Sequence, residues 1–239
     1  MKIFCAYHRS VDIIPKDEIR TPVLLGMHDA DIDLKVRNYL PEISKENLLY
    51  NEVELEMYIH QFVKDEDIIG LTQYSCYPNL TYDQMREILK TKVAICHKDY
   101  VGSMMTQYYA CHWPEPFKVM IEVLQENGIN EEKLRSIILN PVLFSRHIFI
   151  TKYDTFMSYL RFALPILEQI RQRLNICTVE EARAAVASYY GPNSPVLNYQ
   201  TRIYGFLLER LFSIWFLLFY NESDAYIPEF ITYDKVPLG

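Results

Sequence analysis

Apolar side chains cover most of the circumference of one predicted helix, Tyr199 to Trp215, near the end of the chain. The apolar positions recur at helical spacing, and their stripe is wider than a surface helix needs. They are Leu207, Leu208, Leu211, Ile214, Trp215 and Leu218. We therefore predict that this helix is largely buried.

Three charged side chains interrupt this apolar helix: Arg202, Glu209 and Arg210. Burying an ion is costly unless the ion is paired or used. Arg202, Phe206, Glu209 and Ser213 lie roughly on one side of the helix. Two interpretations stay open: the charges form ion pairs that tie the helix to its neighbours, or they line one wall of a cavity.

Strands alternate with helices along the rest of the chain. Apolar runs predict strands at 2–7, 22–25, 68–74, 93–96 and 149–151, with an edge strand at 227–233. Helical periodicity and capping residues predict helices at 44–62, 82–90, 106–112, 116–127, 131–139, 154–174 and 179–187. The chain has no internal repeat and no low-complexity linker. We expect an α/β fold in one domain, 1–239, with a mixed, mostly parallel sheet flanked by helices and a helical C-terminal part.

The first two strands end at residues suited to a binding site. His8 and Arg9 follow the first strand, and Gly26 closes the second. In open α/β sheets, ligands gather beyond the carboxyl ends of the strands. Both strand ends are therefore candidate binding positions.

The helix predicted at 44–62 has Ser44 as its N-cap and carries a row of polar residues beside its apolar stripe. Glu52, Glu56 and His60 follow one another at four-residue spacing. This spacing would also suit a metal-binding face, but we expect a solvated acidic row.

Composition narrows the class of partner. The net charge is −7, and no basic tract is long enough to grip nucleic acid phosphates or anionic lipid. Five cysteines without CxxC spacing fit reduced thiols in a cytoplasm. The N-terminal residues lack the apolar core of a signal peptide, and no apolar run is long enough to span a bilayer. Nineteen tyrosines offer flat surfaces that suit sugar rings or ordinary half-buried positions.

Two sequence features raise the question of a metal site. The acidic run from Asp29 to Asp33 carries oxygens that suit Mg²⁺ or Mn²⁺, but an acidic loop is the favoured interpretation. The dipeptides Cys96-His97 and Cys111-His112 place adjacent side chains on opposite sides, which disfavours zinc. A divalent cation stays possible.

Six blocks in one order carry a resemblance. They are His8 after the first strand, Gly26 after the second, Asn47-x-x-Tyr50-x-Glu52, Ile69-Gly70-Leu71-x-x-Tyr74-x-x-Tyr77, Gln107-Tyr108-x-x-x-His112 and Arg202-x-x-Gly205-Phe206-Leu207-x-Glu209-Arg210-Leu211. From residue 1 to about residue 220 the chain resembles the small bacterial glycosyltransferases of capsule, O-antigen and exopolysaccharide loci, long catalogued as a domain of unknown function.

This resemblance implies a compact GT-A-like fold and transfer of a sugar from a nucleotide-diphosphate sugar, with a UDP-hexose as the first expectation. The acceptor would be a saccharide or a lipid-linked saccharide at the inner face of the membrane. It also implies a cytoplasmic protein with at most peripheral membrane contact.

One strand departs from the pattern of the family it resembles. That pattern continues as Gly-Leu-x-His-Tyr-Arg-Arg-Tyr, and here Gln73, Ser75 and Cys76 stand at the histidine and the two arginines. Phosphate binding then shifts to Arg9, Arg146 or Arg202, or donor preference changes, or activity is lost. The alternative function is a non-catalytic saccharide- or nucleotide-binding relative.

Transfer with inversion needs a base for the acceptor hydroxyl and a positive group for the departing diphosphate. The candidate bases are Glu209, Glu52 and His112. The candidate donor-binding residues are His8, Arg9, Gly26, Gln73, Tyr74, Arg202 and Arg210. We also expect Cys76 to be accessible from the cleft at the end of its strand.

Overall fold

Strands alternate with helices in the computed structural model, which describes residues 1–8, 19–64 and 66–232. The strands are β1 Lys2–Tyr7, β2 Arg20–Leu24, β3 Leu34–Lys35, β4 Ile68–Gln73, β5 Cys76–Pro78, β6 Ala94–Tyr100, β7 Val142–Lys152, β8 Ala225–Tyr226 and β9 Phe230–Thr232. The helices are α1 Pro41–Lys45, α2 Asn47–Tyr50, α3 Val53–Phe62, α4 Tyr82–Thr91, α5 Met104–Cys111, α6 Glu115–Glu126, α7 Glu131–Ile138, α8 Tyr153–Leu174, α9 Val179–Tyr190, α10 Leu197–Gln200 and α11 Ile203–Phe219. Short 3₁₀ turns lie at Val36–Asn38 and Glu222–Asp224.

The strands form one mixed sheet in the order β3-β2-β1-β4-β7-β6-β8. The pairs from β3 to β4 are parallel, β7 is antiparallel to both β4 and β6, and β8 is parallel to β6. β5 folds back from β4 and pairs with β9. Parallel pairing predominates along the main path, so the predicted α/β fold with a mixed, mostly parallel sheet and a helical C-terminal part is confirmed.

Both faces of the sheet are covered, as alternation along β1 shows. Phe4 and Ala6 belong to the main core, which also takes in α3, α6, α8 and α11. Ile3 faces the other way, toward the apolar side of α4. A central strand buried on both faces explains why the residues of β1 read as one apolar run. No helix in the described residues is both long enough and apolar enough to cross a bilayer.

Capping residues locate several helix starts correctly. Thr81 and Thr178 each form a capping box with the residue three positions later, and the Asn130 side chain accepts a hydrogen bond from the Lys133 backbone N–H. These side chains satisfy backbone N–H groups that a helix cannot satisfy itself.

The single helix predicted at 44–62 is wrong, because the chain forms α1, α2 and α3 there. Ser44 lies inside α1 and caps nothing. The break between α2 and α3 falls at Asn51, whose φ of 56° lies in the left-handed region. α11 packs directly on this break: a Cβ added to Gly205 would lie 2.9 Å from the Asn51 Cβ.

The helix predicted at 199–215 is also interrupted. α10 ends at Gln200, and α11 begins at Ile203 with Arg202 as its N-cap residue. The strand predicted at 149–151 extends over the whole of β7, because Val142–Phe144 pair with β6 and pack in the core with α11. The closing edge strand is β9, and Tyr233 lies outside the described residues.

Candidate functional site

A cavity of about 520 Å³ opens at the carboxyl ends of β1, β2 and β4. α1, α2 and the Asn51 break form one wall, and the start of α11 forms another. The residues that line it are Ala6, His8, Gly26, Met27, His28, Ser44, Lys45, Asn47, Leu48, Asn51, Glu52, Gln73, Tyr74, Ser75 and Arg202. A second depression, of about 660 Å³, lies at the opposite edge of the sheet among exposed charged residues around Asp67, Arg86 and Lys152. The first cavity gathers most of the residues that sequence reasoning selected.

His8 and Glu52 form the chemical centre of this cavity. The His8 Nε2 lies 3.2 Å from the Glu52 Oε1, and the Gln73 Nε2 donates to the same oxygen at 3.0 Å. Both His8 and Gln73 stand at the ends of neighbouring parallel strands, which brings them to one edge of the sheet. The structure thus joins three residues that the sequence placed in separate blocks.

Glu52 is buried rather than solvated, so the prediction of a solvated row is wrong for Glu52 and also for Glu56. Burial raises the pKa of the Glu52 carboxyl, but the hydrogen bond and charge of His8, with the charge of His147, outweigh burial and lower it to about 2. An ionised carboxylate only accepts hydrogen bonds. The His8 Nε2 therefore carries a proton, and its Nδ1 is left as an acceptor whenever the ring is neutral.

Glu54 is a structural residue of the site that sequence reasoning missed. Its buried carboxylate accepts hydrogen bonds from the Gly26 backbone N–H, the Ser44 hydroxyl and the Asn47 side chain. Gly26 has a φ of 69°, and an added Cβ would lie 3.1 Å from Asn47. Glu54 therefore ties the end of β2 to α1 and α2, and the sequence offers no local signal for a contact between segments so far apart.

A contact between His147 and Glu56, close to Glu52, was also not predicted from the sequence. The His147 Nδ1 is 3.6 Å from the Glu56 Oε1, and the His147 Nε2 is 2.9 Å from the Gly205 carbonyl oxygen. The carbonyl can only accept, so Nε2 carries a proton. Burial lowers the pKa of the His147 imidazole, but the Glu56 contact and the charges of Glu52, Glu56 and Glu209 outweigh burial and raise it to about 9. This cation balances the acidic groups beneath the cavity.

Arg202 supplies positive charge at the cavity wall. Its guanidinium stands over the Tyr199 ring, 5.7 Å from the centroid, and its buried Nε has no hydrogen-bond partner. Among the described residues, no carboxylate forms an ion pair with it. A buried donor without a partner is unusual in a folded protein and here lies beside an open cavity. Arg202 is therefore placed to bind an anionic group.

Arg210 lies outside the cavity lining, which does not match the prediction that it binds the donor. Its side chain is 1% exposed and donates to the Phe206 carbonyl oxygen, the Glu209 carboxylate and the Gln107 side chain. All three acceptors belong to α11 and α5, and Arg210 is not among the cavity-lining residues. Arg210 joins these two helices.

Glu209 and His112, two candidate bases, also lie outside the cavity lining. Glu209 accepts hydrogen bonds from the Arg146 backbone N–H and from Arg210. His112 is buried, and its ring stacks on Phe206 with centroids 3.9 Å apart. Burial and the nearby charge of Arg210 lower the pKa of His112 to about 3, so its ring is neutral. Both side chains therefore contact other residues of the protein rather than the cavity.

The turn after β4 reaches the cavity only in part. Tyr74 and Ser75 line the cavity together with Gln73, and the Tyr74 ring stacks on Tyr7 at 5.3 Å. Cys76 is fully buried, so the expected access to it from the cleft is wrong. It begins β5 and pairs with both Gln73 and Thr232, so it lies within the sheet.

Two predictions from the sequence remain, one for Arg9 and one for a metal site. Arg9 lies outside the described residues. Asp29 bonds the Arg37 guanidinium, which also donates to the carbonyls of Met27 and His28, and the aspartates of this loop are not among the residues that line the cavity. In the part of the chain that the structure describes, no three His, Cys, Asp or Glu residues cluster as metal ligands. Glu52 is the one carboxylate among the described cavity-lining residues and is bonded by His8 and Gln73, which does not fit a divalent cation.

Comparison with known proteins gives one family and one structure. The family model described as "Domain of unknown function (DUF4422)" matches residues 2–219. The apo structure of WbbM, described as a bifunctional glycosyltransferase, shares the fold with a TM-score of 0.78 and 12% sequence identity. The match covers 98% of this chain and 45% of that one, so this chain spans less than half of its length. Among curated proteins, no sequence matches.

Proposed function

We propose that this chain, which belongs to the DUF4422 family, is a glycosyltransferase that takes its sugar from a nucleotide-diphosphate donor. The fold it shares with a bifunctional glycosyltransferase supports the class of reaction. We place the donor in the cavity at the carboxyl ends of β1, β2 and β4, and we treat residues 1–239 as one glycosyltransferase-like domain.

The observation that carries this proposal is the Arg202 side chain at the cavity wall. Among the described residues, its buried Nε lacks a partner and no carboxylate forms an ion pair with its guanidinium. Lys45, His8 and His28 add basic character to the same lining. A cavity of about 520 Å³ is large enough for a small organic ligand. An anionic diphosphate complements these groups and supplies the missing acceptor for the Arg202 Nε.

We assign the role of base to His8 and the role of orienting group to Glu52. In the neutral ring the carboxylate fixes the Nε2–H tautomer, so the Nδ1 lone pair accepts the proton of an acceptor hydroxyl. Glu52 itself, with a pKa of about 2, is a weak base. In a direct displacement, the acceptor oxygen bonds to the anomeric carbon as the bond to the diphosphate breaks. Arg202 then stabilises the charge on the leaving group.

The finer assignment follows the sequence resemblance. We propose a UDP-hexose as the donor and a saccharide or lipid-linked saccharide of surface polysaccharide synthesis as the acceptor. The protein would act in the cytoplasm, with at most peripheral contact with the inner face of the membrane.

The alternative is a non-catalytic relative that binds a nucleotide or a saccharide. It is favoured by Gln73, which stands where the family resemblance expects histidine and whose amide is committed to Glu52. Turnover of a nucleotide sugar separates the two functions.

The test combines nucleotide binding with turnover. We expect UDP at millimolar concentration to raise the melting temperature, since a ligand at 100 times its Kd adds about 2.7 kcal/mol of stability. The same measurement with GDP, CDP, TDP and CMP, each with and without Mn²⁺, identifies the preferred nucleotide. We expect His8→Ala to keep this shift and to lose release of UDP from UDP-glucose or UDP-galactose. His60→Ala, which also removes a histidine but one outside the cavity lining, is the control.

The results separate the candidates. If no nucleotide shifts the melting temperature, the donor site is wrong. If nucleotides bind and no UDP-sugar turns over, the non-catalytic relative is the correct function. If His8→Ala turns over UDP-sugar at the wild-type rate, His8 is not the base.

A further inference from the structure

We propose that Tyr199 and Phe206 form an aromatic platform for the sugar ring of the acceptor, at the edge of the donor cavity. This inference rests on the proposed function and assigns a second subsite to it. The platform lies on α10 and α11, beyond the residues that line the cavity.

The position of the platform follows from one face of α11. Arg202, Phe206 and Glu209 succeed one another at spacings of four and three residues, so they lie on the same side of the helix. Arg202 lines the cavity, and Glu209 holds the backbone N–H of Arg146. This face therefore leads from the donor cavity to the bulge in β7.

Two rings form the surface of the platform. Tyr199 is 48% exposed, Phe206 is half-buried, and their centroids are 5.0 Å apart. The Tyr199 ring lies next to the cavity, because the guanidinium of the cavity-lining Arg202 is 5.7 Å from the ring centroid. An exposed tyrosine beside a cavity offers a flat apolar face with a hydroxyl at its edge.

Buried rings hold this surface in place. Phe206 stacks on His112 at 3.9 Å, and His112 lies 4.9 Å from Tyr108, which stacks on Phe117 at 4.8 Å. His112 is thus the support of the platform, which accounts for a buried neutral histidine that the donor chemistry does not use. A rigid support lowers the entropy lost when a ligand binds.

Arg146 adds one charged group at the far end of this helix face, where its backbone N–H donates to Glu209. Arg146 is exposed, its φ of 65° is left-handed, and it stands in the bulge that interrupts pairing between β6 and β7. Bulges next to active sites re-aim side chains. The Arg146 side chain hydrogen-bonds the Cys76 thiol, and among the described residues it forms no ion pair with a carboxylate. Together, apolar faces and a charged donor match a saccharide better than they match a lipid chain, which would need a continuous apolar surface.

The experiment measures acceptor binding separately from donor binding. Octyl glycosides of glucose, galactose, mannose and N-acetylglucosamine serve as probes, in saturation-transfer NMR with UDP present. We expect Tyr199→Ala to weaken binding of the best probe by about tenfold or more, as befits the loss of an aromatic contact. Tyr199→Phe keeps the ring and should stay near wild type. Arg146→Gln should weaken binding while leaving the platform in place.

Controls distinguish this subsite from the donor site. Tyr189→Ala removes a tyrosine that is 56% exposed on α9 and should change nothing. A UDP-induced rise in melting temperature should persist in every variant, which shows that the donor site still binds. Unchanged probe binding in Tyr199→Ala, or an equal loss in Tyr189→Ala, overturns the platform. If UDP binds and no glycoside binds the wild type, the platform fails and the donor site stands. If UDP does not bind, the proposed function fails and the platform fails with it.

Discussion

Arg202 and Arg210 are two arginines of the same helical segment, two turns apart, with opposite surroundings. The Arg210 guanidinium is buried and donates to a carbonyl, a carboxylate and an amide of the protein. Arg202 lines a cavity, and among the described residues neither its Nε nor the Arg210 Nε has a partner, so the two side chains differ in their terminal nitrogens. Sequence alone treats both as charges in an apolar helix.

This contrast indicates which buried charges are available to a ligand. A charge whose hydrogen bonds all end on the protein contributes to architecture, because removing it leaves its partners unsatisfied. A charge with an unmet donor beside a cavity is available for a ligand. The terminal guanidinium nitrogens therefore separate the two arginines: those of Arg210 bond three acceptors of the protein, and among the described residues no bond of this kind holds Arg202.

The largest expected effect is on stability, in Arg210→Ala. Removing one partner of a buried ion pair costs about 3–5 kcal/mol. For a chain of this size, that corresponds to a fall in Tm of about 10 °C. Urea and thermal unfolding measure it, with Arg161→Ala on the exposed face of α8 as the matched control. A loss below about 1 kcal/mol, as for a surface substitution, would show that Arg210 is not architectural.

A second prediction uses the opposite charge, Glu52, which is buried but bonded to cavity residues. Its pKa is lowered to about 2 in the folded protein from an ordinary value near 4.5. Its charged form therefore stabilises the fold above about pH 4.5, and this contribution is lost as the pH falls toward 2. We expect the difference in unfolding free energy between wild type and Glu52→Gln to narrow by up to about 3 kcal/mol over that range.

Urea unfolding at pH 5, 4 and 3 measures this narrowing. Glu42→Gln provides the control, since that exposed carboxylate pairs with the exposed Lys45. A gap that is independent of pH would mean that His8 and His147 do not hold Glu52 in its charged form.

The third prediction concerns Arg202→Ala, which should lose ligand binding and keep the fold. A hydrogen bond to a charged group contributes about 1.5–3 kcal/mol, so UDP should bind roughly 10- to 100-fold more weakly. The unfolding free energy should change by less than about 1 kcal/mol. Titration of UDP by calorimetry and urea unfolding give the two quantities. A stability loss equal to that of Arg210→Ala, with UDP affinity intact, would erase the contrast between the two arginines.

Local patterns predicted most elements of the fold. β1 and β4 follow from apolar runs, and Thr81, Asn130 and Thr178 locate three helix starts because capping depends on neighbouring residues. The breaks at Asn51 and Arg202 were not predictable, because each depends on packing between distant segments. The left-handed Asn51, for example, sits against Gly205 of α11.

The site was predictable where it depends on strand ends. His8, Gly26 and Gln73 meet at one edge because parallel strands end together. The four-residue spacing of Glu52 and Glu56 does not distinguish a solvated face from a buried one. Their partners, His8 and His147, come from other parts of the chain, and so does the Gln107 partner of Arg210. These residues became interpretable only when the fold brought them into contact.

The contact between Gly205 and Asn51 limits how the cavity can be redesigned. A methyl group at position 205 would force α11 away from the α2–α3 break, and Arg202 would move with α11 relative to Glu52. Combinatorial libraries should therefore keep Gly26, Asn51 and Gly205 constant. Diversity belongs at the outer lining, at Met27, His28 and Leu48, where a new side chain alters the shape of the cavity without shifting its frame.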